Sequence, residues 1–225
     1  MAPEAPRERN FTARLDCRYL LEVPPAIDAR TLLVVTLHGF GFDPESMLRM
    51  TAGAFGPGHA TAAIEGPYQF FHSVSRPDVG FGWITNRHPE TSIRLHHDMV
   101  RHVLDEAGRE CGIPPERRVL VGFSQPVGMN YRLVATHPEC AGGVVGICGG
   151  LPADWEAGPY QDVTARVLHI ARSEDEFYDT AVTERYPERL RLRARDVEFH
   201  MLEGKHRFPS RAKPIVAAWV ERILR

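Results

Sequence analysis

The sequence is short of several things that would direct it elsewhere. It has four cysteines, Cys17, Cys111, Cys140 and Cys148, with no C-x-x-C pair among them, so neither a disulfide framework nor a thiolate metal site is legible. No run of about 18 apolar residues occurs, which argues against a membrane-spanning helix. The opening Met1-Ala2-Pro3-Glu4 lacks the apolar stretch of a secretory leader, and with free thiols it leads us to expect a cytoplasmic protein. Neither sign of charge dominates: 27 basic and 29 acidic side chains leave a net charge of −2, too little to draw the chain to nucleic acid or an anionic membrane. No internal repeat, low-complexity tract or long linker divides it, so one domain over residues 1–225 is expected. These absences leave a small, uncharged or weakly charged molecule as partner, and they leave a homodimer open.

What is present is a regular alternation of strand and helix patterns. Hydrophobic residues make up 43% of the 225, enough for one sizeable core. Over residues 11–23 the odd positions (Phe11, Ala13, Leu15, Cys17, Tyr19, Leu21, Val23) are apolar against mostly polar even ones. This period of two predicts a half-exposed antiparallel strand or hairpin at a sheet edge. Residues 32–37, 119–121, 143–147 and 167–170 are instead continuous apolar runs, as parallel strands covered on both faces require, and Val197, Phe199 and Met201 alternate in one more. Between them Ile93, Val100, Val103, Leu104, Ala107 and Cys111 recur at three- and four-residue steps, as do Ile215, Val216, Trp219, Val220 and Ile223. The pattern predicts an α/β fold: a mostly parallel sheet with an antiparallel N-terminal edge and helices on both faces.

Ligands of an open parallel sheet bind beyond the carboxyl ends of its strands, so the residues after each strand are read together. His38-Gly39-Phe40-Gly41-Phe42 follows the first central run. Gly122-Phe123-Ser124-Gln125 follows Val119-Leu120-Val121, where a buried strand turns into a helix. Such an elbow strains the serine backbone and lifts its Oγ above the sheet. Ser173-Glu174-Asp175 follows Ile170, and Gly204-Lys205-His206 follows Leu202. Hydroxyl, carboxylate and imidazole therefore fall at one sheet edge. Acyl transfer uses these groups to attack, to fix the imidazole tautomer, and to take and return a proton.

These motifs, with His137-Pro138-Glu139 and Gly149-Gly150-Leu151-Pro152, resemble the α/β-hydrolase superfamily, and within it the small cap-less carboxylesterases, phospholipases and acyl-protein thioesterases. The resemblance runs from about Leu32 to the C-terminus. It implies an α/β-hydrolase fold without a large cap, cleavage of carboxylic esters or thioesters through an acyl-serine, and no cofactor or metal. By that likeness Ser124 is the nucleophile, His206 the general base and Asp175 its orienting acid, with the backbone amides of Phe40 and Gln125 as oxyanion donors. Read apart from the family, Ser124 could cap a helix. His206 could be a turn histidine, and Asp175 one of several acids (Glu174, Glu176, Asp179) that a helix start favours.

One element departs from the pattern. Pro126 stands where a second elbow glycine is usual, and proline disfavours the α region at the preceding residue, Gln125. Two readings follow: an active enzyme with a reshaped elbow, or a non-catalytic or weakly active member of the fold that binds a small ligand. A dienelactone-type hydrolase fits less well, because a serine and not a cysteine occupies the elbow. Phe40, Phe42, Phe70, Phe71, Phe81, Phe177 and Phe208, with Tyr68, Trp83 and Tyr178, fall in expected loops. Of these Phe42, Phe81, Trp83, Phe177 and Phe208 are the expected lining of an apolar acyl or aryl pocket. His96-His97-Asp98 with His102 places Asp98 and His102 at i,i+4, which reads as a solvated helix face and not as a metal site. Arg185, Arg189, Arg191, Arg193 and Arg195 among acidic neighbours read the same way.

Overall fold

The computed structural model of the protein describes residue 5 and residues 7–224, so the reading of Met1-Ala2-Pro3-Glu4 lies outside the described residues. The central sheet contains β1 (Tyr19–Glu22), β2 (Leu33–Leu37) and β3 (Ala60–Ile64). After a hairpin of β4 (Tyr68–Ser73) and β5 (Arg76–Gly82) come β6 (Arg118–Phe123), β7 (Gly143–Ile147), β8 (Arg166–Arg172) and β9 (Val197–Leu202). The order across the sheet is β1-β3-β2-β6-β7-β8-β9. β1 runs antiparallel to β3 and every other pair is parallel. This is the expected α/β sheet with its antiparallel N-terminal edge.

Every residue of β2, β6 and β7 is buried, which is why these strands read as unbroken apolar runs. Successive side chains feed opposite cores. Leu33, Val35, Leu37, Leu120 and Val144 pack on one face with α2 (Pro89–Glu110) and α3 (Val127–Thr136). Val34, Val119, Val121, Val145 and Ile147 pack on the other with Met47 of α1 (Pro44–Thr51) and Val216, Trp219 and Val220 of α6 (Ala212–Ile223). Two short helices, α4 (Thr180–Thr183) and α5 (Tyr186–Arg191), lie between β8 and β9. Among the described residues no helix is long and apolar enough to cross a membrane, and the four cysteines are unpaired.

Several expectations need correction. Only Tyr19–Glu22 of the alternating stretch forms a strand, in register with Ile64 to Thr61 of β3; Phe11 and Leu15 are 90% and 52% exposed. Strand β3 itself, sequence ATAAI, is alanine-rich and is held as a strand by its two neighbours, not by propensity. Tyr68, Phe70, Phe71 and Phe81, expected in loops, belong to the β4–β5 hairpin, whose turn carries no Asn-Gly or Asp-Gly signal. His96 and His97 do not face solvent. Both are buried under the sheet, His96 edge-on against Trp83, while His102 turns to Glu106 at 3.2 Å and not to Asp98. Two of the five arginines do more than solvate a surface: Arg193 donates to the carbonyls of Trp155 and Tyr160 at 2.7 Å each, and Arg189 pairs with Glu156.

Candidate active site

The turn from β6 into α3 presents Ser124 in the left-handed region, with φ of 63°. That is a strained conformation for a residue with a side chain, and it persists because both sides are tied down. The Ser124 amide donates to the Ile147 carbonyl at 2.8 Å, and the Ser124 carbonyl accepts from Val127 at 3.1 Å. Close approach of α3 to the sheet explains two glycines. A Cβ on Gly122 would lie 2.9 Å from Asn130 Nδ2, and one on Gly149 would lie 2.3 Å from Val127 Cβ and 2.7 Å from the Ser124 carbonyl. Pro126 fits its place. Its φ of −77° and ψ of −8° are helical, and its carbonyl opens α3 by accepting from Asn130 at 2.8 Å. Proline's missing N–H costs nothing at a helix start, where the first amides have no intrahelical partner.

Asp175 and His206 come from the loops after β8 and β9, neighbouring parallel strands, and meet over Ser124. His206 Nδ1 lies 2.8 Å from Asp175 Oδ2, and His206 Nε2 lies 2.9 Å from Ser124 Oγ. Because a carboxylate only accepts, Nδ1 carries the proton and Nε2 is left to accept from the serine hydroxyl. The Asp175 side chain is 1% exposed, and its other oxygen accepts the amides of Phe177 and Tyr178 at 2.9 and 3.1 Å. Its competitors are occupied elsewhere: Glu176 accepts the His206 amide at 2.9 Å, and Asp179 caps α4. The imidazole is wedged between the rings of Phe123, Phe177 and Tyr178 at 4.8 to 5.8 Å between centroids. Behind it the Cys148 thiol donates to the Arg207 carbonyl at 3.4 Å; burial pushes that thiol up to about 12, so it stays protonated.

The opposite side of Ser124 is built from backbone. Phe40 and Gln125 both line the cleft, and their backbone amides donate to no acceptor among the described residues, so both remain free to donate. His38 pins the first of these loops: its Nε2 accepts the Gly66 amide at 3.0 Å, which leaves Nδ1 to donate to the Gly39 carbonyl at 2.8 Å. Burial holds His38 below the usual histidine range, which keeps this neutral tautomer. The Gln125 carboxamide pins the second. It accepts from the Trp83 amide at 2.8 Å and donates to the Ile84 carbonyl at 3.1 Å, clamping the elbow to the end of β5. Both residues fall in the strand-end motifs, but no pattern signals their pinning role, and the Gln125 clamp depends on Trp83 and Ile84, just past the hairpin, folding back onto the elbow.

The cleft above these groups holds about 940 Å³. Phe42, Phe177 and Phe208 line it as expected, together with Phe40, Met50, Ile84, Phe123 and Tyr178. Phe81 and Trp83 do not line it. The Phe81 backbone hydrogen-bonds Gly41 and Phe42, and fully buried Trp83 donates its indole N–H to the His38 carbonyl at 2.8 Å, so both hold the loop that carries Phe40. Met50, Arg207, Ser210 and Lys213 are lining residues that the sequence reading missed; only their helix and loop orientation in space identifies them. Among the described residues no group of three or more His, Cys, Asp or Glu side chains is placed to hold a metal ion.

The profile of the family described as Phospholipase/Carboxylesterase matches residues 84–222. The candidate esterase NocK of Nocardia uniformis subsp. tsuyamanensis is 30% identical over 132 residues, which cover 57% of this chain and 36% of NocK, so the match spans about a third of that relative's length. Among solved structures, the Bacillus cereus carboxylesterase superposes with a TM-score of 0.74 at 15% identity, covering 92% of this chain and 94% of that one. Zea mays acyl-protein thioesterase 2 superposes with a TM-score of 0.70 at 15% identity, covering 92% and 99%. At these identities the structural likeness shows a shared fold.

Proposed function

The chain belongs to the phospholipase/carboxylesterase family of α/β-hydrolases, and on that premise we propose that it is a serine hydrolase cleaving carboxylic esters, and thioesters with them, through an acyl-Ser124 intermediate. The observation that carries this reading is the unbroken relay from Asp175 Oδ2 through His206 to Ser124 Oγ, with both links under 3 Å. As Oγ attacks the acyl carbon, its proton passes to His206 Nε2, and the imidazolium formed is stabilised by the buried carboxylate. The oxygen that becomes negative lies toward the Phe40 and Gln125 amides. His206 then protonates the departing alcohol or thiol and next draws a proton from water, which returns the acyl group to solution as the acid. The apolar walls of the cleft favour an acyl or aryl body. Thioesters are included because one structural neighbour is named an acyl-protein thioesterase.

The alternative of a pocket that binds without turnover arises from Pro126 misaiming the Gln125 amide. Its helical φ and ψ, and the independent clamp on the Gln125 side chain, favour turnover instead. A series of p-nitrophenyl esters of increasing acyl length, run beside Ser124→Ala, tests the proposal. Hydrolysis in the native chain that disappears in the variant supports it, and equal rates in both would remove Ser124 from the chemistry.

A further inference from the structure

The cleft has a charge that the ester chemistry does not use. The chain contains two lysines, Lys205 and Lys213, and both flank the His206 loop. Lys205 lies 3.8 Å from Glu176 and is spoken for. Lys213, in the first turn of α6, is half-buried, lines the cleft and forms no ion pair among the described residues. Arg207, exposed beside it on the cleft wall, is likewise without a carboxylate partner. No aspartate or glutamate lines the cleft, and the one acid at its floor, Asp175, is enclosed and engaged by His206 and two amides. Two cationic side chains and no carboxylate on the lining leave a positive charge that no described residue of the cleft neutralises, beside apolar walls of Phe40, Phe42, Met50, Ile84 and Phe123, so a ligand matching both carries an anion on an apolar body.

Resting on the ester-hydrolase reading, we propose that the natural substrate is an anionic ester or thioester: an apolar body against Phe40, Phe42 and Phe123, and a carboxylate or phosphate group held by Lys213 with Arg207 beside it. The anion bears on specificity and not on the bond-breaking steps, which remain with Ser124 and His206. The ammonium–anion contact is electrostatic and weakens as salt rises.

Matched esters test this, with kcat/KM for the anionic member divided by that for its neutral partner as the readout. One arm compares p-nitrophenyl hexanoate with the p-nitrophenyl monoester of adipic acid, which places a carboxylate on the acyl side. The other compares phenyl butyrate with its para-carboxy and para-phosphonooxy derivatives, which place either anion on the alcohol side and separate carboxylate from phosphate. In at least one pair the anionic ester is expected to lead by about tenfold at low salt, as for a hydrogen bond to a charged group. That ratio is expected to fall toward one in Lys213→Met, to recover in Lys213→Arg, and to shrink in about 0.5 M salt. Thermal melts check that both variants fold. Neutral esters preferred in every pair, or a ratio unmoved by Lys213→Met, would overturn the proposal while leaving the hydrolase reading intact. If no ester in either arm gives Ser124-dependent turnover, both readings fall together.

Discussion

The two flanks of Ser124 are held by different physics. On the His206 side, an imidazole lies between a buried carboxylate and a hydroxyl, in a geometry that can pass a proton and stabilise the charge left behind. On the Phe40 and Gln125 side, His38, Gln125 and Trp83 make hydrogen bonds to backbone, and no charge is involved. Histidine serves both flanks: His206 bonds a carboxylate and a hydroxyl, whereas His38 bonds only backbone and burial holds it below the usual histidine range. This second network continues downward, from Trp83 to the buried ring of His96 and on to His97. Under the proposed mechanism one flank would move charge and the other would stay neutral and fixed, holding the Phe40 and Gln125 amides in place before substrate arrives.

Breaking the first flank should cost most. Ser124→Ala is expected to lower kcat by on the order of 10⁴-fold or more, measured on the best p-nitrophenyl ester. Asp175→Asn should lose about 10³- to 10⁴-fold with fold and KM little changed, because a neutral amide no longer fixes the proton on Nδ1; a small loss would mean that the tautomer is set by other groups. The neutral flank should fail with acid instead. Burial lowers His96 from 6.5 to about 3 and His97 from 6.5 to about 4, so the unfolded chain binds protons that the folded chain refuses. Their contribution is complete above pH 6.5 and declines as pH falls toward 4, at roughly 1.4 kcal/mol per pH unit for each histidine. Urea melts between pH 7.5 and 5 check this, and a flat profile would contradict it.

Smaller effects sharpen the comparison. Gln125→Ala frees the Trp83 amide and the Ile84 carbonyl and loosens the elbow donor. It is expected to lower kcat by about 10- to 100-fold with KM nearly constant, below the loss of a whole oxyanion donor. Pro126→Gly should leave turnover within about threefold or raise it, while lowering the melting temperature by a few degrees through the more flexible unfolded chain. A collapse of activity would show that proline itself shapes the elbow.

How much of this was legible follows from where each contact lies in the chain. The buried strands and their end motifs are local in sequence. Asp175 stood among Glu174, Glu176 and Asp179 and was singled out by the family resemblance, whereas the apolar runs and the strand-end positions of Ser124 and His206 could be read directly. The hairpin could not: Tyr68, Phe70 and Phe71 look like loop aromatics until β5 pairs with them. Everything that depends on it was hidden as well, including the Gln125 clamp between residues 42 positions apart and the burial of Trp83 and His96. Lys213 was obscured for a related reason. Its place in the cleft is set by the angle at which α6 leaves the sheet, and periodicity does not record that angle.

In the proposed chemistry Ser124 carries the acyl group. Quenching the protein during turnover of an activated ester and weighing the peptide that contains Ser124 tests this most directly. This peptide is expected to gain the mass of one acyl group, and the gain to be absent in Ser124→Ala. Steady hydrolysis with the peptide unmodified, or the acyl group found on another residue, would contradict it.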